Sequence, residues 1–112
     1  IIWIAALCTL CRYRHNGHWT GHPSRLGRDH SGSFGSKSYA REELVAEMAG
    51  AFVCASLGIV PTVRHADYIG SWLEVLREDN RAIVRAASAA SKAADYVLAS
   101  GHTASAAVSS AA

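Results

Sequence analysis

The sequence predicts a mainly α domain of about three to four helices with one long loop. Three observations predict it. Apolar residues recur at helical spacing in three successive segments after Ser38. Capping and breaking residues bracket those segments. A stretch rich in Gly, Ser, His, Pro and Arg separates them from an apolar run at the N-terminus. With 112 residues there is room for one small domain, and a chain of this size buries only about two-thirds of its unfolded surface. Half of the residues are hydrophobic, but many of these are alanine and the large side chains are concentrated before Leu98. The core is therefore expected to be thin.

The first element, Ile1 to about Asn16, is apolar and turns basic at Arg12 and Arg14. Its apolar part ends at Cys11, short of the roughly 20 residues that span a bilayer, and no basic segment precedes it as in a secretory signal. It reads as a core helix or strand. Because the chain opens on Ile1 rather than Met, it is expected to have been cut from something longer. From Gly17 to Lys37 the breakers Pro23, Gly27, Gly32 and Gly35 predict a loop, and loops longer than about 15 residues are often functional.

A helix is expected from Ser38, a good N-cap, with Glu42 and Glu43 in its first turns where the macrodipole favours negative charge. Leu44, Val45, Met48, Ala51, Phe52 and Ala55 form its apolar stripe, Gly58 closes it, and Pro61 prevents continuation. A second helix is expected from about His65 to Glu78, with Tyr68, Ile69, Trp72, Leu73 and Leu76 on one face. Asp79 or Asn80 caps a third, through Ile83, Val84, Ala87, Ala90, Ala94, Val97 and Leu98. Leu44, Met48 and Phe52 are expected to pack against Ile69, Trp72 and Leu76. The domain is thus residues 1–100. Residues 101–112 are mostly Ala, Ser, Thr and Gly, with Val108 the one large apolar side chain, and read as a disordered Ala/Ser-rich tail.

A formal net charge of +2 gives no strong field toward nucleic acid or an anionic membrane, and no membrane segment is expected. The cysteines, Cys8, Cys11 and Cys54, are an odd number without a regular framework, which argues for a reducing, cytoplasmic setting. Cys8 and Cys11 form a C-x-x-C that reads as half of a zinc site or a redox pair, but no second pair completes a four-sulfur site.

The chemistry-bearing stretch is His15-Asn16-Gly17-His18-Trp19-Thr20-Gly21-His22, followed by Ser24-Arg25-Leu26 and by Phe34-Gly35-Ser36-Lys37-Ser38-Tyr39-Ala40-Arg41-Glu42-Glu43-Leu44-Val45-Ala46-Glu47. It resembles the C-terminal zincin-like metallopeptidase domain of ArdC-type antirestriction proteins. That domain carries H-E-x-x-H, then W-T-G-H, S-R-L and F-G-S-x-x-Y-A-x-E-E-L-x-A-E. The resemblance continues through Phe52, Cys54 and Gly58, resumes in His65 to Ile69 and Ser71 to Leu73, and reaches Ala93-Ala94-Asp95-Tyr96. It is nearly continuous from Gly17 to about Leu98 and stops before Gly17. It implies a partial zincin-like fold lacking the sheet that normally precedes the motif helix.

The chemistry of H-E-x-x-H needs two histidines one helical turn apart to chelate zinc, and a Glu beside the first to take a proton from metal-bound water. The resemblance places His18 as the second histidine. Counted back without a gap, Arg14 stands for the first histidine and His15 for the Glu, and Arg14 would repel a metal. With one residue deleted, His15 is instead the first histidine at i, i+3 spacing, which still shares a helix face. Neither alignment supplies the Glu, so no catalytic residue is assigned, and hydrolysis by the family mechanism should be lost or very weak.

Glu43 and Glu47 lie one turn apart and resemble the Glu ligand and the acid supporting it. Charges on a helix are usually solvated, and composition alone favours surface pairs with Arg41 or Lys37; the resemblance favours Glu43 as a ligand. The candidate metal residues are thus His18, Glu43 and His15, with Glu47 behind them and zinc as the implied cofactor in a weakened site. His22 follows His18 by four residues, but Gly21 and Pro23 suggest a turn. His30, His65 and His102 read as structural or exposed, and Arg25 and Arg28 as solvated, with a phosphate contact the alternative.

Two functional readings follow, from different classes. One is a zinc metallopeptidase-like domain of an antirestriction protein from a plasmid or phage, inactive or weakly active without its Glu. Single-stranded DNA would then be a partner only through an N-terminal domain of the parent protein, and a protein substrate is implied. The other is a non-catalytic helical protein-interaction module. A truncated or frameshifted gene copy would also account for the loss of resemblance before Gly17.

Overall fold

The computed structural model describes the backbone of residues 13–59 and 66–110, and side chains for 13–59 and 72–101. Four helices and no strand are present among the described residues: α1, residues 13–20; α2, Lys37–Ser56; α3, Ala66–Glu78; and α4, Ala82–Ser110. The C-x-x-C at Cys8 and Cys11 lies outside the described residues, as do the side chains of Tyr68 and Ile69.

The helix boundaries follow local chemistry. Ser36, rather than Ser38, caps α2: its backbone is extended and its Oγ accepts from Tyr39 N at 3.2 Å. At the other end Gly58 takes φ +68°, a left-handed conformation suited to glycine. There Ile59 N donates to Cys54 O at 2.9 Å and closes the last turn. Between α3 and α4, Asp79 Oδ1 accepts from Arg81 N at 3.0 Å, so Asp79 rather than Asn80 holds that turn. The long loop begins only at Gly21, because α1 extends through Thr20. α4 carries on from Gly101 to Ser110, into the segment expected to be a disordered tail; alanine is the strongest helix former and sustains helical backbone where there is little to pack.

α2 is central and packs chiefly on α4 and then on α3. Leu44, Val45 and Ala49 of α2 meet Ala86, Ala90 and Ala93 of α4, with Met48 and Trp72 packed against them. A second cluster joins Ala40, Val75 and Ala82, again beside Trp72. The expected stripes are shifted. Ile83 and Val84 are 46% and 67% exposed, while Ala90 and Ala93 are fully buried. On α3, Val75 is buried and Leu73 exposed; on α2, Phe52 is partly exposed. Small residues form the contact because they let helix axes approach closely, and larger side chains project around the seam. α1 covers the opposite side of α2, which is therefore buried on two faces.

Candidate functional site

Two helix faces meet at the site. α1 presents Arg14 and His18 one turn apart, and α2 presents Glu43 and Glu47 one turn apart. Their separation and register are set by close backbone approach. A Cβ on the buried Gly17 would lie 3.0 Å from both Cα and O of Ala46, and one on Gly50 would lie 3.5 Å from the backbone N of Arg14. Only a glycine at 17 lets α1 come this near.

The Arg14 guanidinium donates through Nη2 to Glu43 Oε2, and its Nε lies 3.3 Å from Glu47 Oε1. His18 Nε2 lies 3.3 Å from Glu43 Oε1, and its Nδ1 lies 3.3 Å from Glu42 Oε1. Both oxygens of Glu43 are thus engaged, and that side chain is 5% exposed. A cleft of about 290 Å³ opens beside these groups, lined in part by His18, His30, Tyr39, Glu42 and Glu43.

Glu42 is the hub of a second network. Arg28 donates to it from Nε at 3.0 Å and Nη2 at 2.9 Å, a bidentate pair, and His30 Nε2 lies 3.1 Å from Oε1. Burial pushes the Glu42 carboxyl up, but hydrogen bonds from His18 and Arg28 and the charges of Arg28 and His30 outweigh it and hold the group at about 2. Arg28 also donates to Gly17 O at 2.6 Å and to Thr20 Oγ1 at 2.9 Å. It therefore satisfies the carboxyl end of α1, where a cation is favoured. The loop residue Gly21 is buried, and a Cβ there would overlap the His30 ring and the Arg28 guanidinium.

The structure brings His18, Glu43 and Glu47 together, and it does not bring His15 with them. The His15 side chain is exposed and lines an apolar cavity of about 820 Å³ with Tyr13, Trp19, Val53 and Leu57. The residue of α1 that shares the His18 face toward Glu43 is Arg14, four positions before it. His22 is exposed in a turn, its Nδ1 accepting from Ser24 N at 3.1 Å. Arg25 lies 4.0 Å over the Trp19 ring and donates to Trp19 O, so it is not merely solvated. Neither is Arg28, and His30 belongs to the site's edge. Sequence reasoning missed Arg28, His30 and Glu42 because their contacts cross the loop, where helical spacing gives no guide.

The model of a zincin-like metallopeptidase family matches residues 8–89. The chain belongs to this family. The match includes residues 8–16, ahead of the point where the motif resemblance stops. The chain is 54% identical over 84 residues to DNA primase TraC of Escherichia coli, covering 74% of this chain and 8% of the primase. It is 51% identical over 83 residues to uncharacterized protein y4eC of Sinorhizobium fredii, covering 72% of this chain and 27% of that protein. Among solved structures, the Mn(II)-bound antirestriction protein ArdC from the R388 plasmid superimposes with a TM-score of 0.73 at 47% identity, covering 81% of this chain and 34% of that one. Its metal-free form gives 0.67 at 45% identity. The chain thus spans a small part of these relatives.

Family membership suggests a metal, and the residues here can be tested against one. They do not fit. The Arg14 guanidinium engages Glu43 and lies beside Glu47, so a cation already sits against the carboxylates a metal would need. Among the described residues, no group of three or more His, Cys, Asp or Glu is arranged to hold a metal ion. Nor is there a helix among them long and apolar enough to cross a membrane.

Proposed function

We propose that this chain is a non-catalytic copy of the metallopeptidase domain of an ArdC-like antirestriction protein, carried by a plasmid or phage and working in the cytoplasm as part of a longer protein. The observation that carries the reading is the pair at 14 and 15. Aligned without a gap, Arg14 falls at a ligand position and His15 falls where a carboxylate would accept a proton from metal-bound water. No Asp or Glu occurs between Ile1 and Arg28 to substitute for it. Zinc is the metal expected of an intact relative; His18 and Glu43 are the ligands that remain, and His15 is turned away. Single-stranded DNA and a protein substrate would be partners of the parent protein rather than of this domain.

The apolar cavity beside Tyr13, Trp19 and Leu57 favours one alternative, a helical module that retains the fold for protein contacts. Peptide cleavage assays on the purified chain, with zinc or manganese and with chelator, test the main reading. No metal-dependent cleavage is expected, and appreciable cleavage would overturn it.

A further inference from the structure

We propose that the Arg14 guanidinium has taken over the role of the metal in this chain, serving as the built-in cation that holds α1 against α2. Two carboxylates, Glu43 and Glu47, project from α2 into the seam with side chains only 5% and 11% exposed. Burying two neighbouring carboxylates without a counter-charge is strongly unfavourable. In a metal site the ion supplies that charge. Here Arg14 supplies it from α1, donating through Nη2 to Glu43 and placing Nε beside Glu47. A planar guanidinium suits this task, because its donors diverge in a fixed fork and it never loses its charge. Lysine, with one compact ammonium, would not reach both carboxylates with the same geometry.

The same seam explains why metal would be excluded. His18 Nε2 and Glu43 Oε1 are 3.3 Å apart, so two donors still converge. A divalent ion bound to both, at roughly 2 Å from each, would have to share the Glu43 carboxylate with the guanidinium on its other oxygen. Repulsion between the cations and the missing third donor both oppose it. The domain is therefore expected to fold and hold its helices together without metal. The inference rests on the family reading only for the correspondence of Arg14 with the first histidine, and its test reads metal binding and melting rather than hydrolysis.

The experiment uses the full chain and two variants, Arg14→His and Arg14→Lys, each melted in chelator and with zinc or manganese, with bound metal measured after dialysis. The unmodified chain should melt at the same temperature in every condition and retain no metal. Arg14→His offers His, His and Glu to a metal, and should retain at least about ten-fold more zinc and melt about 4 °C or more higher with it, as a ligand well above its Kd produces. Arg14→Lys should melt lower than the unmodified chain and remain indifferent to metal. Should Arg14→His be unfolded in chelator, refolding on addition of zinc supports the proposal equally. Stoichiometric metal or a metal-dependent melting shift in the unmodified chain would overturn it, as would an Arg14→His variant that binds no more metal than its parent. Cleavage that persists in chelator would defeat the proposed function and leave this inference standing.

Discussion

Arg14 of α1 pairs with Glu43 of α2 across a seam where the backbones nearly touch, and Glu43 is almost fully enclosed. Removing either partner leaves the other in a place built for two. Because Arg14 is 30% exposed, water softens the loss of Glu43 more than the loss of Arg14. Arg14→Ala and Glu43→Ala should each cost about 1–3 kcal/mol, as unsatisfied buried groups do. The double variant should cost less than their sum, with a coupling of about 0.5–3 kcal/mol in urea unfolding. Additive losses would show that the pair contributes nothing as a pair.

Glu42 makes the stability of the domain acid-sensitive. Its folded-state carboxyl is held at about 2 against an ordinary 4.5, mainly by His18 and Arg28 working against burial. A depressed carboxylate contributes stability that is present above the ordinary value and lost as pH falls through the folded one. Glu42→Gln should therefore be less stable than the unmodified chain at neutral pH. The difference should shrink as pH drops below 4.5 toward 2. Unfolding midpoints measured across that range check it, and a gap that stays constant would rule Glu42 out as the source.

Two glycines predict opposite responses to alanine. At Gly17 an added Cβ meets the Ala46 backbone at 3.0 Å, where neither helix can yield without moving the site. Gly17→Ala should cost about 1–3 kcal/mol, as overpacking does. At Gly50 the nearest atom is Arg14 N at 3.5 Å, an ordinary contact. Gly50→Ala should be neutral or stabilising by up to about 1 kcal/mol through helix propensity. Equal effects at both sites would mean that the close approach at Gly17 is not what sets the seam.

Trp72 lies against both apolar clusters and so joins α3 to α2 and α4. Truncation to Ala should cost about 3 kcal/mol or more. A loss below about 1 kcal/mol in denaturant unfolding would place it among surface residues.

The helices were legible because their ends are chemical events: Gly58 closes α2 and Asp79 separates α3 from α4, while the cap of α2 falls at Ser36, two residues before the Ser38 expected. The buried faces were less so. Helical periodicity assumes one apolar stripe, but α2 is covered on two sides, and the α4 seam is alanine while Ile83 and Val84 stand outside it. His18 and Glu43 could be read from the motif segments that contain them. The Arg28 and Glu42 pairing could not, since the loop that brings it about has no periodicity to read. Glu43 and Glu47 were visible as one face, yet only the structure shows that their counter-charge comes from Arg14 rather than from Arg41 or Lys37.

Substitution at 14 and 15 tests whether that pair is what keeps this chain from family chemistry. α1 already points position 14 at Glu43 beside His18, so two substitutions without any insertion, Arg14→His with His15→Glu, rebuild the family motif in register. The first should offer a donor set for the metal, and the second places at 15 the carboxylate that would accept the proton of bound water and pass it to the leaving amine, once its side chain swings from the apolar cavity that His15 lines toward the ion. A general acid–base group is worth roughly two to four orders of magnitude in rate. Arg14→His alone should therefore bind metal yet cleave peptides slower than the double variant by about that factor, while His15→Glu alone should do neither. If the double variant loads with metal and still shows no more cleavage than Arg14→His, a carboxylate at position 15 is not what separates this chain from a metallopeptidase, and the reading of that position is overturned.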